Sequence, residues 1–277
     1  MGEEWTGGRR LPEIEACRDV SMVTAPLLSD FAIRLAFGLI AALTLTSWRQ
    51  VPLRFFRIQA LIALGLIALA TASQTSLVRP SLPFWMLVVA GVAVYLASAT
   101  WGLGLPSVAT AMDVGALLAM GAWMVLASRA SSSGEWALAT AGRAASGLLL
   151  GATLHSMLLG HYYLTAPSMT IAPLTRSLDL ILAALIARCV LDGVGAWVAG
   201  GGRFDLDTLW RGADPAIVAM RWGMGVLGAG VSVYLARRTA AIRSTQSATG
   251  ILYITTIFVL FGELAALAAG APGVGGR

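Results

Sequence analysis

Residues Leu148–Arg176 read LLLGATLHSMLLGHYYLTAPSMTIAPLTR. A strongly apolar run ends in a His-Tyr-Tyr cluster, and two prolines, Pro167 and Pro173, then turn the chain back. A bilayer core of about 30 Å takes about 20 apolar helical residues to cross, and tyrosines gather where hydrocarbon meets water. The stretch therefore predicts the end of a membrane-spanning helix, an interfacial belt and a tight return. It also holds the only two histidines, His155 and His161.

The rest of the 277-residue chain agrees with that reading. It is 57% hydrophobic and 12% charged, with mean hydropathy +0.78. Soluble domains carry roughly twice that share of charge. All 19 basic residues are arginine. The net charge of +5 then reflects arginine at helix ends rather than a nucleic-acid surface, and no run of basic residues interleaved with aromatics is present. Cys17 and Cys189 are too far apart for a disulfide framework or a clustered-thiolate metal site.

Eight segments are long enough to span: Leu27–Trp48, Phe56–Val78, Phe84–Leu103, Ser107–Ser128, Trp136–Leu164, Leu178–Ala199, Ala216–Ala236 and Ile251–Ala269. The expected fold is an all-α integral membrane bundle of about eight transmembrane helices with short loops. A polar N-terminal tail (1–25, with no cleavable signal evident), a polytopic helical domain (26–270) and a short C-terminal tail (271–277) complete the division. No internal repeat is evident along the sequence, which counts against a transporter built from inverted repeats. Arginines 49, 54, 57, 237, 238 and 243 form the two densest loop clusters. By the positive-inside rule that side is cytoplasmic and both termini lie outside.

Ionisable residues inside a bilayer cost from about 2.5 kcal/mol upward and mark functional sites by default. Alternating helix directions sort them into two levels. Asp30, Arg34, Arg143, Asp192, Arg221 and Glu263 fall toward the side away from the clusters, and Arg188 falls near the middle. Asp30–Arg34 and Arg188–Asp192 are spaced i,i+4, so each pair lies on one helix face. They read as register-fixing ion pairs or as a path for protons or an anionic substrate. Glu263, alone in LFGELAAL, keeps its proton there unless an arginine reaches it.

At the arginine-rich level fall His155, His161, Tyr162, Tyr163, Asp113 and Asp179. His155 lies seven residues inside Tyr162, about 10 Å below the belt. The two histidines point about 120° apart on their helix, so they cannot ligate one metal, and haem held within a single chain is disfavoured. No metal ligand set is expected. A neutral imidazole beside an aspartate suits quinone chemistry, which needs a hydrogen-bond donor and proton exchange. His155 could equally be a packing histidine bonded to a neighbouring helix.

Three functional readings follow. The first is a membrane-anchor subunit of a respiratory or other redox complex, with a quinone or proton site near His155 and partner subunits carrying the electron-transfer centres. In helix number and size alone, the chain is similar to the quinol-site anchor subunits of molybdopterin and iron–sulfur oxidoreductases, and no residue's role follows from that. The second is a proton-coupled transporter or permease with a midplane site at Arg188, Asp192 and Glu263. The third is a structural or assembly subunit without a site. The loop Arg203–Asp214, with its three aspartates, is expected to be solvated rather than a cation site. Ala199–Arg203 (AGGGR) reads as a flexible loop.

Overall fold

A computed structural model describes residues 11–74, 81–128, 133–166, 169–203 and 214–269. It is an all-helical bundle with eight helices long and apolar enough to cross a membrane. They are α1 (Leu11–Leu45), α2 (Leu53–Ala72), α3 (Leu82–Gly102), α4 (Pro106–Ala127), α5 (Ser133–Thr165), α6 (Ala172–Ala199), α7 (Pro215–Ala241) and α8 (Thr245–Ala269). Outward side chains such as Leu118, Ile186 and Leu227 are apolar and exposed. In a bundle of this kind they form the lipid face.

Several helices outrun the minimum needed to span. α1 begins at Leu11, inside the stretch read as a polar tail, and continues through Pro26. Pro106, Pro173 and Pro215 fall in the first turns of α4, α6 and α7. Proline is tolerated there because its missing N–H would find no helical partner anyway. At α7 the Asp214 carboxylate also caps, accepting from Ala216 N at 2.8 Å. The AGGGR stretch is a helix stop. Gly201, at φ +62°, donates to Val198 O, and Gly202 donates to Trp197 O, the paired bonds of a Schellman cap. Residues 204–213, with two of that loop's three aspartates, lie outside the described residues.

The packing order is simple. α1 packs on α2, α2 on α3, α3 on α4, and α4 closes on α1; α5 to α8 repeat the same ring. The two four-helix bundles meet chiefly along α1 and α5.

This organisation corrects the reading that the chain has no internal repeat. Gly91–Ala97 (GVAVYLA) on α3 and Gly230–Ala236 (GVSVYLA) on α7 are identical at six of seven positions. Arg34–Ser47 (RLAFGLIAALTLTS) on α1 and Arg143–Ser156 (RAASGLLLGATLHS) on α5 are identical at seven of fourteen. Burial follows the register that pairs Gly91 with Gly230. Ala109, Asp113, Ala116, Met120, Trp123 and Met124 are buried on α4, and in that register so are Ala248, Leu252, Thr255, Val259, Gly262 and Glu263 on α8. The turns before α4 and α8 match too. Gly104 (φ +74°) and Arg243 (φ +59°) take the left-handed conformation at equivalent positions. The separation between matching residues is wider for α3–α7 and α4–α8 than for α1–α5, because the second half has longer connections. No fixed period therefore runs through the sequence.

Equivalent residues touch at the seam, as a two-fold relation requires. Gly38 corresponds to Gly147, and a Cβ on Gly38 would sit 1.7 Å from the Gly147 carbonyl oxygen, so only glycine admits the α1–α5 approach. One turn further along, Ala42 corresponds to Gly151, whose own Cβ would fall 1.9 Å from Gly38 C. With four helices per half, both halves run in the same direction. The repeat is therefore parallel, with its axis along the bundle.

Candidate functional site

Seven intramembrane charged residues form one connected chain of contacts. Arg143 of α5 donates to Ser128 Oγ at the end of α4 and lies with Nε 3.5 Å from Asp30 Oδ1, an ion pair too long for a hydrogen bond. Asp30 Oδ2 pairs with Arg34 Nη2 at 2.5 Å on α1. Arg34 Nη1 donates to Ser146 Oγ at 3.3 Å, and Ser146 Oγ donates to Glu263 Oε2 at 2.6 Å. Glu263 Oε1 accepts from Arg188 Nε at 3.1 Å. Arg188 also pairs with Asp192 one turn along α6, and Asp192 Oδ2 lies 2.9 Å from Arg221 Nη2 on α7.

The six charged residues expected at this level and Arg188 thus belong to one network spanning α1, α5, α6, α7 and α8. An arginine does reach Glu263, namely Arg188. Arg188, placed near the middle by depth alone, is the hub of the second bundle's half. Sequence reading missed two members, Ser128 and Ser146. Ser146 lies three residues after Arg143 on the same face of α5, and that spacing is the only hint of it.

Local backbone positions the network. Arg221 sits on a π-helical segment of α7, Ala219–Gly228, a winding frequent at functional sites. Beside it Gly225 meets Gly262 of α8, where a Cβ on Gly262 would lie 2.2 Å from Gly225 Cα. That contact brings the helices carrying Arg221 and Glu263 together. Arg188 and Asp192 then line two spaces. One is a cavity of about 470 Å³ between the start of α5 and the end of α6. The other is an inner void of about 10 Å³ that Arg221 and Glu263 close from the far side.

The histidine level is arranged differently. His155 is fully buried, with Nδ1 2.8 Å from Gln59 Oε1 and Nε2 2.9 Å from Thr46 Oγ1. Thr46 occupies the equivalent position in the first half, so this contact also sits on the seam. Phe55 stands edge-on to His155 at 5.5 Å and to Tyr162 at 5.6 Å. His161 points the other way, exposed, with Nδ1 3.3 Å from the Tyr253 hydroxyl. Tyr163 donates to Thr170 O at 2.5 Å, fixing the return into α6.

The two aspartates at this level part company. Asp179 pairs with Arg237 at 2.8 Å near the surface. Together with His155, Thr46, Gln50 and Arg176 it lines a cavity of about 330 Å³. Asp113 is not a partner of His155. It lies buried in the first bundle, accepting from Trp101 Nε1 at 3.0 Å, and its Oδ1 has no hydrogen-bond partner among the described residues. Depth along a helix gave both aspartates the same level, but azimuth turned Asp113 toward α3.

No known protein family, curated protein or solved structure matches the chain.

Proposed function

We propose that the protein is a proton-coupled membrane carrier whose site is the network centred on Arg188, Asp192 and Glu263. One observation carries this reading: a connected chain of ion pairs and hydroxyls at bilayer depth includes the Arg188–Asp192 pair, which lines a cavity. Ionisable groups at bilayer depth are expensive and line substrate or proton pathways. The parallel repeat agrees, because carriers are commonly built from duplicated halves with the site near mid-membrane. Coupling follows from the contacts. A proton taken by Glu263 removes one of the two carboxylates holding Arg188, and frees the guanidinium to engage a substrate. With the arginine clusters of the α1–α2 and α7–α8 connections in the cytoplasm, the 470 Å³ cavity opens to the opposite side.

The test is solid-supported-membrane recording on proteoliposomes. Concentration jumps of carboxylates, phosphate, amino acids and sugars are applied with and without a pH step. At least one should give a transient current in the wild type, and Glu263→Gln should lose its pH dependence. Silence across the panel from correctly inserted protein defeats the carrier reading.

A second reading, a membrane-anchor subunit of a redox complex, is favoured by the cavity that His155 and Asp179 share. It needs partner subunits holding haem or iron–sulfur centres. Purification from native membranes without any such absorbance, or wild-type quinone-linked turnover in His155→Phe, removes it.

A further inference from the structure

Glu263 does not touch the cavity from which its proton would come. Its carboxylate is buried, and its two oxygens accept from Arg188 and from Ser146. The cavity of about 470 Å³ is lined by Arg188 and Asp192 but not by Glu263 or Arg221. The inner void of about 10 Å³ is lined by all four. Arg188 and Asp192 are the residues common to both linings, and so form the partition between the two spaces. An arginine keeps its proton in a protein, which leaves Asp192 as the group on that partition able to pass one on. The approach through Ser146 is shut for the same reason, because its hydroxyl accepts from Arg34.

Size and charge specify what fills the void. One water needs about 10–15 Å³ of such space and two to four polar partners. Two arginines and two carboxylates line it, so the lining is balanced and selects a neutral occupant. Among the described residues each oxygen of Asp192 and Glu263 has one partner. A carboxylate oxygen accepts two hydrogen bonds, so each acid has a lone pair left for a water hydrogen. Arg188 spends Nε and Nη1 on these acids, and its remaining N–H groups are donors for the water oxygen.

We infer that one water fills the void and joins Asp192 to Glu263, which makes Asp192 the residue that delivers the proton. Asp192 takes a proton from cavity water. Its O–H then gives that proton to the void water, which passes one of its own to Glu263. Asp192 returns to carboxylate, the water remains water, and Glu263 ends as the neutral acid. The groups around Glu263 in this step are Arg34 through Ser146, Arg188, Cys189 and Asp192 of α6, and Arg221 of α7. Cys189 lines neither space. The inference rests on the carrier reading for the use made of the proton, and not for its arrival.

The test is time-resolved infrared difference spectroscopy of the reconstituted full-length protein after an acid jump, without substrate. The carboxylic C=O band that Glu263→Gln removes reports proton arrival at Glu263. Asp192→Asn should slow that band about 100-fold, the usual weight of a positioned proton donor, and Asp192→Glu should stay close to wild type. In water carrying heavy oxygen, the wild type should show a shifted O–H stretch that rises with the band. Ala266→Val adds bulk to the lining of the void and should lose that stretch and slow the band. A wild-type rate in Asp192→Asn, an equally slow rate in Asp192→Glu, or no heavy-oxygen shift in the wild type would each overturn the inference. A spectrum without any Glu263 band would overturn it together with the coupling step. Substrate currents that keep their pH dependence and rise time in Asp192→Asn would overturn it while sparing the carrier reading. Proton delivery through Asp192 without any current would do the reverse.

Discussion

The two bundles share one ring of helices and differ in what fills it. In α1–α4 the interior is apolar and aromatic. Phe56 stacks on Trp101 at 4.5 Å, Met120 and Met124 are fully buried, and Asp113 is tied to Trp101, while the Asp30–Arg34 pair of α1 faces α5 at the seam. In α5–α8 the interior holds Arg188, Asp192, Arg221 and Glu263. In the register that pairs Gly91 with Gly230, Glu263 stands where the first half has Met124, and Arg221 where it has Leu82. A duplicated fold therefore keeps the contacts that make the bundle while its core diverges. Among the described residues the Asp30–Arg34 pair lies along α1 itself and reaches α5, so the ring of α1–α4 closes without an ion pair between its own helices. The charge network in the second half is then extra to the fold, and that is the strongest reason to look for function there.

The seam is where this comparison breaks most easily. Gly38→Leu should separate α1 from α5, because even a Cβ would overlap the Gly147 carbonyl. The expected loss exceeds about 4 kcal/mol, enough to remove the monodisperse protein from a gel-filtration profile. Gly65→Leu on α2, where a Cβ meets nothing within 4 Å, should leave the profile unchanged. If both variants behave alike, the glycine seam is not what joins the halves.

The network gives the next largest effect. Glu263→Met installs the first half's residue and takes from Arg188 one of its two carboxylates and from Ser146 its acceptor, with an expected loss of roughly 3 kcal/mol in denaturant unfolding, the low end for breaking a buried pair. Adding Arg188→Met should recover most of it, since an apolar replacement of a buried ion pair is often neutral or better. The double variant makes the second core resemble the first. It should fold well and carry no current. Recovery failing in the double variant would mean the network is required for the fold and the comparison between the halves misleads.

How far this arrangement is legible in the sequence depends on the kind of contact. The spans follow from hydrophobic length alone, and every charge in the network can be picked out because ionisable residues are rare in apolar helices. Asp30–Arg34 and Arg188–Asp192 are readable because i,i+4 spacing is local geometry. Contacts between helices are not. Nothing in the sequence sets the azimuth of one helix against another, so the Arg221–Asp192 pair, the Ser146 bridge and the separation of Asp113 from His155 appear only once the helices are packed. Serine is also too common in membrane helices to signal a bridge. The repeat stays hidden because its offset changes between helix pairs and its identities fall in two short stretches.

A smaller effect tests the histidine as a seam element. His155→Phe keeps the aromatic packing against Phe55 but leaves the Gln59 oxygen short of a partner, while the Thr46 hydroxyl keeps the Ala42 carbonyl. About 1–3 kcal/mol should be lost, the range for stranding a buried polar group. Thr46→Val, which removes the equivalent residue from the other half, should cost less, because Gln59 still holds the ring. A redox role would separate the two variants in quinone-linked activity, whereas a packing role moves only stability.

The smallest expected change compares the two equivalent turns. Gly104 and Arg243 both donate back to close their helices: Gly104 to Trp101 O with Leu105 to Thr100 O, and Arg243 to Ala240 O with Ser244 to Thr239 O. Both residues are left-handed, a conformation that costs a non-glycine residue roughly 1–2 kcal/mol. The first half avoids that cost with glycine and the second half carries it. Arg243→Gly should therefore stabilise the protein by up to about 1 kcal/mol, and Gly104→Ala should destabilise it by a similar amount. Opposite signs in paired unfolding curves would show that the two turns do the same work with unequal residues. Equal signs would mean that Arg243 has compensating contacts of its own, for instance with lipid headgroups on the side where the arginines cluster.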